Sequence, residues 1–477
     1  ECVTMEIHIQ ADSNNTLTVL DLLERQGFSL PCNCHGANVC GGVQYDFPCG
    51  MVPKAPLTVH LPDATSSAQI TGLSLMQTPD LSIQPDSLLI DIGTTTIAMV
   101  YYHSTKKSTF FSEVFANPQI AYGADVISRI QYDVTHPSEH KLHKELTSCL
   151  TGHAVSFLKR YPDISIKQCL IGGNTTMIHL LLNLSLQGMA GYPFTPEIPG
   201  NFSFTHNGVS VHVLPWLSAF IGGDITAGLL SLSFDTRNDT CILADLGTNG
   251  ELVLCHKNHL YTASTAAGPA LEGGGLSHGC PAIPGAVSEV SLRGIIPRIQ
   301  TIANKLPCGI CGSGAISVLA ELLSQQYMNA DGTLTSKFPE NGILLAKASS
   351  SDIIFTSNDV RQMQLAVAAI AAGIDTLCRE AGILPENVDS LYLAGGLGYH
   401  IPLEKASSLG MFCDILPERI HCVGNSCLNG LAKLSSAAEE DFISLQHRLT
   451  AQTENISLAD NLFFQSSYLS HMTYHLS

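Results

Sequence analysis

Residues 88–100 read LLIDIGTTTIAMV: an apolar run ending in one acid, Asp91, then a glycine and three threonines, then a second apolar run. The same arrangement returns at 242–254 as ILADLGTNGELVL, with Asp245 in place of Asp91 and Gly247, Thr248 and Asn249 in place of Gly93, Thr94 and Thr95. The two acids stand 154 positions apart. Short apolar runs separated by Gly, Thr and Asn predict two buried strands joined by a tight turn. One such turn is compatible with a plain hairpin. Two copies, each between apolar strands, predict two related lobes.

The turns also carry chemistry. Glycine permits close backbone approach, and exposed turn amides can hold phosphate oxygens. Threonine hydroxyls add donors. A carboxylate at the strand end lies where Mg²⁺ on a polyphosphate would sit, because hard cations take oxygen ligands, often through water. Two such turns facing each other would clamp one nucleotide from both sides. The chain has no G-x-x-x-x-G-K-[ST] segment and no Gly-Lys pair, so the common P-loop route to ATP is absent. A third element, LYLAGGLGYHI at 391–401, ends an apolar strand in Ala394, Gly395 and Gly396, with Gly398 close behind. Paired glycines at a strand end let a flat ring or a ribose lie against the backbone.

Composition bounds the rest. A chain of 477 residues predicts two to four domains. It is 45% apolar and 13% charged, enough to build sizeable cores. Its net charge of −18, from 41 acids against 23 basic residues, excludes nucleic acid as a partner, since phosphate binding there rests on Lys and Arg clusters. Residues 1–10, ECVTMEIHIQ, alternate instead of forming the basic-then-apolar pattern of a secretory signal. The longest apolar run, LAVAAIAAGI at 365–374, is too short to span a bilayer. The expectation is a cytoplasmic protein with no membrane partner. In that compartment the sixteen cysteines are buried, ligating or reactive. Cys149, Cys169, Cys241, Cys255 and Cys378 stand singly and read as core residues.

One cysteine cluster differs. LPCNCHGANVCGGVQYDFPCG, residues 30–50, holds Cys32, Cys34, Cys40 and Cys49 among glycines. A strand over 4–10, a helix near 17–26 closed by Gly27, and the alternating strand PLTVHLP flank it, which predicts a small ferredoxin-like module. Thiolates bind iron well, and a glycine-rich loop lets several sulfurs converge on one cluster. Four cysteines can also hold zinc tetrahedrally, or no metal at all. The loop resembles that of plant-type ferredoxin modules, whose cysteines are spaced five, then two, then a long gap. Cys34 and Cys40 match the first gap, and Cys49 matches the distal ligand. The third slot falls on Val43, which cannot ligate, and Cys32 is the thiolate available to replace it.

The two acid–glycine turns and the Gly-Gly strand end resemble, in order and spacing, the phosphate-one, phosphate-two and adenosine motifs of the acetate and sugar kinase, Hsp70 and actin superfamily. ANPQIAYGADVISRI (116–130), IGGNTTMIHLL (171–181), IGGDITAGLL (221–230), TAAGPALEGGGLSHG (265–279), CGICGSGAISVLAELL (308–323) and VGNSCLNGL (423–431) narrow it further. Together they resemble the reductive activators of corrinoid-dependent methyltransferases, over nearly the whole chain. Relatives usually carry lysine where this chain has Val367.

The resemblance implies an α/β fold: two actin-like lobes with mixed sheets, plus the small α+β module in front. The expected boundaries are 1–70 for that module, 71–86 for a linker, 87–237 for the first lobe and 238–477 for the second. It implies ATP, Mg²⁺ and an iron–sulfur cluster, [2Fe-2S] in the family, as cofactors. Asp91 and Asp245 are expected to organise Mg²⁺, and Gly93, Thr94, Thr95, Gly247 and Thr248 to hold phosphates. Gly395 and Gly396 would border the adenosine, and Asn174 and Thr175 would line the same cleft. Glu251 and Glu272 would orient water, and Cys32, Cys34, Cys40 and Cys49 would carry the electron.

The implied activity is ATP-dependent return of Co(II) to Co(I) in a corrinoid protein of a methyltransferase system, fed by an upstream low-potential donor. The relatives' habit implies a homodimer. ATP is needed because each shortfall of about 59 mV is a tenfold equilibrium penalty for one electron, and plant-type clusters sit near about −400 mV. Binding and hydrolysing ATP differently in two lobe positions can supply the difference. Three other readings stand beside it: an activator of the 2-hydroxyacyl-CoA dehydratase type, a small-molecule kinase, and a nucleotide-switched binding module without a cluster. HPSEHKLHKE (136–145) reads as a solvated helix face, and Cys308 and Cys311 as a buried turn, with a dithiol as the alternative.

Overall fold

Both acid–glycine segments form strand–turn–strand units in the computed structural model, which describes residues 4–9, 57–62 and 82–474 apart from 124, 199–201, 295, 348–351, 398–400 and 437–441. In the N-terminal region β1 (Thr4–Ile9) pairs antiparallel with β2 (Leu57–Pro62), so the two strands expected to flank the cysteine loop are neighbours. Cys32, Cys34, Cys40, Cys49, the helix near 17–26 and the linker to 81 lie outside the described residues.

The first lobe is a six-stranded mixed sheet. β3 (Ser87–Ile92), β4 (Thr96–His103) and β5 (Ser108–Ala116) make an antiparallel meander. Helices α1 (Val126–Thr135) and α2 (Lys141–Arg160) follow, and β6 (Gln168–Gly173) returns parallel to β3. After α3 (Thr175–Leu182), β7 (Ser203–His206) and β8 (Val209–Val213) complete the order β5-β4-β3-β6-β8-β7. Helix α4 (Gly223–Ser231) then leads to the second lobe.

The second lobe repeats the plan. β9 (Cys241–Leu246), β10 (Gly250–His256) and β11 (His259–Thr265) form the meander. An inserted sheet of β12 (Ala286–Arg293), β13 (Ile296–Thr301) and β14 (Gly309–Ile310) precedes α5 (Gly312–Ser324). The hairpin β15 (Ile343–Ala346) and β16 (Ile353–Phe355) leads to α6 (Ser357–Glu380). Then β17 (Ser390–Ala394) joins β9 in parallel, as β6 joins β3. After α7 (Leu403–Ser408), β18 (Ile420–Gly424) pairs with β17, and α8 (Ser426–Ser435), α9 (Phe442–Gln452), β19 (Thr453–Asn455) and α10 (Leu462–His471) close the chain. The two meanders and their parallel partner strands are the structural form of the repeated sequence.

Strand alternation assigns the two faces of the second sheet. Ile242, Ala244, Leu246, Leu252 and Leu254 face a core shared with α5 and α6. Cys241, Leu243, Val253 and Cys255 face the other way, into the core that includes the first lobe. Asp245 and Glu251 have the parity of this second set, which aims them at the first lobe. Helix α6 is buried along most of its middle, as expected for a helix apolar nearly all round. Its start is fixed by a reciprocal cap between Thr356 and Asp359. Val367 is 1% exposed inside this core, so a lysine here would require burying an ammonium; valine removes that cost.

Helix α8 follows the second sheet in sequence yet packs against α4, with Gly430 against the Ala227 carbonyl and Gly228 beside Ser426. The C-terminal aromatics pack back on the body: Phe464 and Tyr468 lie on the second-lobe core, and Tyr474 is buried. Cys169, Cys241, Cys255 and Cys378 are buried, and Cys149 is half-buried. No helix among the described residues is long and apolar enough to cross a membrane.

One surface pair on the first lobe makes a pH prediction. His153 stacks on Phe115 and lies 3.0 Å from Glu113 Oε2. Hydrogen bonding to Cys149, and then to Glu113, raises its pKa to about 9. The folded pKa lies above the unfolded value of about 6.5, so this contribution is complete below that pH and is lost as pH rises through about 9. His153 is 35% exposed, so solvent screening keeps the effect small. The imidazole resonance missing in His153→Gln should titrate near pH 9; a midpoint near 6.5 would remove the pair.

Candidate functional site

Asp91 ends β3, and the Gly93–Thr96 turn that follows is tied from behind. The Gly93 amide donates to the Thr96 carbonyl at 2.9 Å, and a Cβ on Gly93 would lie 2.7 Å from that same oxygen, so the turn requires glycine. Asn117 donates to the Gly93 carbonyl at 2.8 Å from its side chain and to the Thr95 carbonyl at 2.9 Å from its amide. Arg129, wholly buried, donates to the Thr94 carbonyl at 2.6 Å. Three successive carbonyls are thereby drawn into the protein body, the orientation that leaves a turn suited to an anion. Burial lowers Arg129 to about 10.

On the second lobe the Gly247 amide donates to the Asn249 carbonyl at 2.9 Å, and Thr248 donates to Glu272 Oε2 at 2.5 Å. Ala394 is the register partner of Asp245, which places the Gly-Gly strand end beside the second acid. Gly395 has φ +83°, and a Cβ there would lie 2.6 Å from Asp245 Oδ1. A side chain at 395 would meet the carboxylate, so both conformation and space select glycine. Nothing lies within 4 Å of a Cβ built on Gly396, which is exposed. The strand end thus has one glycine against the acid and one facing open space.

Acids from both lobes converge here. Burial, then Asp91 and Glu272, raises Asp245 to about 7. Burial, then Asp91 and Asp245, raises Asp224 to about 8. Burial raises Asp91, against hydrogen bonds from Asn425 and Cys427. Burial, then Asp245 and Asp224, raises Glu251 well above the usual carboxylate range. These four acids are half-buried. No lysine, arginine or histidine is among the groups that shift them. Asp245 and Glu251 are direct cross-strand partners, a like-charge pairing that destabilises a sheet unless a proton or cation intervenes.

This all-oxygen donor set fits Mg²⁺. Among the described residues no three His, Cys, Asp or Glu side chains form a ready-made metal cage. Mg²⁺ in general keeps several waters and binds through one or two carboxylates and substrate phosphates.

The structure brings Asp91, Asp245, Glu251 and Glu272 together, with Thr94, Thr248 and Gly395 around them. Asn174 caps α3 and donates to the Thr94 hydroxyl at 2.9 Å, which puts it beside the first turn. Thr175 faces inward: it is buried, and its hydroxyl donates to the Ser218 carbonyl at 2.8 Å. Sequence reasoning missed Asp224, Asn425, Asn117 and Arg129. Asn425 caps α8 and donates to Asp91 Oδ2 at 2.6 Å, so a residue 334 positions away orients the first acid. Asp224 stands after Gly222-Gly223 at a helix start, the one local signal that could have exposed it.

Comparison with known proteins adds a family context. Residues 239–476 match the family described as the C-terminal domain of RACo, the ASKHA domain, and residues 87–237 match the RACo middle region. The chain is 30% identical over 413 residues to the corrinoid activation enzyme RamQ of Eubacterium limosum, covering 80% of this chain and 69% of that protein. It is 30% identical over 289 residues to the [Co(II) methylated amine-specific corrinoid protein] reductase of Methanosarcina barkeri, covering 55% of this chain and only 51% of that protein. Among solved structures, a reductive activator for corrinoid,iron-sulfur protein superposes with a TM-score of 0.72 at 25% identity, covering 99% of this chain and 79% of that one.

Proposed function

This chain belongs to the RACo family of reductive activators of corrinoid proteins, and from that premise we propose that it uses ATP to drive a one-electron reduction of Co(II) to Co(I) in a corrinoid protein. The observation that carries the nucleotide part is the convergence of Asp91, Asp224, Asp245 and Glu251 between the two duplicated turns. In this reading Asp91 and Asp245 orient the water shell of Mg²⁺. The Gly93–Thr95 and Gly247–Thr248 turns hold phosphate oxygens from opposite sides. Gly395 and Gly396 border the adenosine, with Asn174 fixing the Thr94 hydroxyl. Glu272 accepts from the Thr248 hydroxyl, and in this reading Glu272 and Glu251 orient water.

A bound iron–sulfur cluster supplies a one-electron carrier, and its proposed thiolates are Cys32, Cys34, Cys40 and Cys49. Mg²⁺ and ATP complete the proposed cofactors. The proposed partners are the corrinoid protein, an upstream low-potential donor and a second copy of the chain. The proposed divisions remain 1–70, 71–86, 87–237 and 238–477, with a cytoplasmic location. Because α8 packs on α4 while its N-cap holds Asp91, a change in how the lobes close around phosphate is felt at the joint between them.

The test mixes the reconstituted protein with a low-potential reductant, Mg·ATP and a Co(II) corrinoid protein without oxygen. The Co(I) absorption band should appear with ATP and not without it. ATP turnover that needs a sugar or an acid acceptor, with no change at cobalt, would replace this reading with a kinase. Cys40→Ala should lower bound iron several-fold after reconstitution; full iron content in that variant would remove Cys40 from the ligand set.

A further inference from the structure

We propose that Cys280 and Cys308 form a reversible dithiol–disulfide centre, oxidised by low-molecular-weight disulfides, packed directly behind the turn that carries Glu272. The chain brings the two cysteines together by a short backbone zipper. Gly279 and Ile310 form a parallel bridge. The Cys280 amide donates to the Ile310 carbonyl at 3.0 Å, and the Ile310 amide donates to the His278 carbonyl at 2.8 Å. Cys280 and Cys308 interact electrostatically, and the Cys308 thiol donates to the Pro284 carbonyl at 3.8 Å.

Two glycines make room for the sulfurs. A Cβ on Gly309 would lie 2.6 Å from Cys280 Sγ, and one on Gly285 would lie 3.2 Å from Cys308 Sγ. Both cysteines are partly exposed, so a small disulfide can reach them. Sequence spacing suggested Cys308 and Cys311 as the candidate dithiol. The structure exchanges the partner: Cys311 is buried at the start of α5, and its thiol donates to the Val287 carbonyl at 3.3 Å. Cys241 and Cys255, direct cross-strand partners, are each 0% exposed and are a built-in control for access.

The location gives the centre its interest. Gly273 and Gly279 pack against the backbones of Cys280 and Gly273 respectively, and Gly312 packs against the Leu271 carbonyl. The dithiol, the Glu272 turn and the start of α5 are therefore held as one tightly packed corner, on which Thr248 rests.

The exchange balances as two thiol–disulfide steps. Cys308, lowered by the Cys280 thiol, attacks one sulfur of R–S–S–R as thiolate and forms Cys308–S–S–R, releasing RS⁻. Cys280 then attacks the Cys308 sulfur, forming Cys280–S–S–Cys308 and releasing the second RS⁻. The two cysteine protons end on the released thiols, and two electrons pass from the dithiol to R–S–S–R.

The experiment incubates the full-length protein without oxygen in glutathione buffers of rising disulfide content, blocks free thiols by alkylation, and maps tryptic peptides by mass spectrometry. Cleavage after Lys257, Arg293, Lys305 and Lys337 places Cys280 in peptide 258–293 and Cys308 in peptide 306–337. A linked 258–293/306–337 species should rise at least tenfold, vanish on reduction, persist in Cys311→Ser and disappear in Cys308→Ser. Peptide 238–257, which holds both Cys241 and Cys255, should stay free of an internal disulfide. Fully alkylated Cys280 and Cys308 at the highest disulfide ratio, a Cys308–Cys311 bond within one peptide, or a link that survives Cys308→Ser would each overturn the proposal. Fragmentation of the wild-type linked species should place the alkyl group on Cys311, which decides the matter even if a variant fails to fold; an alkyl group on Cys308 would overturn the proposal.

Discussion

Asp245→Ala should lower ATP turnover by about 10²- to 10³-fold, the size expected on removing one preorganised electrostatic group from a reacting phosphate, and should abolish ATP-dependent formation of Co(I). The same substitution should leave the melting temperature unchanged or raise it. Asp245 faces Glu251 across the sheet and feels Asp91 and Glu272, with no cation among the groups acting on it. Alanine relieves that repulsion and leaves the Gly395 contact with space to spare. Loss of turnover combined with retained or gained stability is the signature of a group kept for function at a cost in folding. Turnover within threefold of the wild type would sink the assignment. A lost turnover accompanied by a lower melting temperature would make Asp245 a structural residue. Both quantities come from one preparation, a steady-state phosphate-release assay and a thermal melt.

The duplication was legible because strand periodicity and the acid–glycine turn both lie in short local segments. Those segments form strands at the same place in two matching sheets, Asp91 at the end of β3 and Asp245 at the end of β9. Residues that support the turns from a distance were not legible. Asn117 and Arg129 act on backbone carbonyls, which any donor of the right reach could satisfy, so no residue pattern marks them. Asp224 belongs to the acid cluster only because α4 points its first turn at both sheets. Thr175 shows the converse: its neighbour Asn174 meets the first turn, while the helix that begins between them turns the threonine hydroxyl onto Ser218. Cys308 likewise has two cysteines near it in space, and only the fold decides that its thiol meets Cys280 and not Cys311.

Gly430→Ala and Gly152→Ala should change stability in opposite directions, although both replace a glycine inside a helix. Gly152 lies in α2, is exposed, and has nothing within 4 Å of a built Cβ. There alanine acts only on backbone freedom and helix propensity, and should stabilise by about 0.5–1 kcal/mol. Gly430 lies in α8, where its Cα faces the Ala227 carbonyl of α4, and an added Cβ would fall inside that backbone contact. The same propensity gain is then outweighed by overpacking, which costs about 1–3 kcal/mol or more where neither backbone can yield. Neither can yield easily here. Gly228 of α4 already has Ser426 Oγ at 2.8 Å and Leu243 Cδ2 at 3.0 Å from its own Cβ position. Pushing α8 outward would also move Asn425, its N-cap, away from Asp91. The expected outcome is therefore a lower melting temperature for Gly430→Ala together with weaker nucleotide binding, and a higher one for Gly152→Ala with binding unchanged. Equal shifts in the two variants would mean that α4 and α8 are not in close backbone contact, and the route by which the second half of the chain positions the first acid would be lost with it.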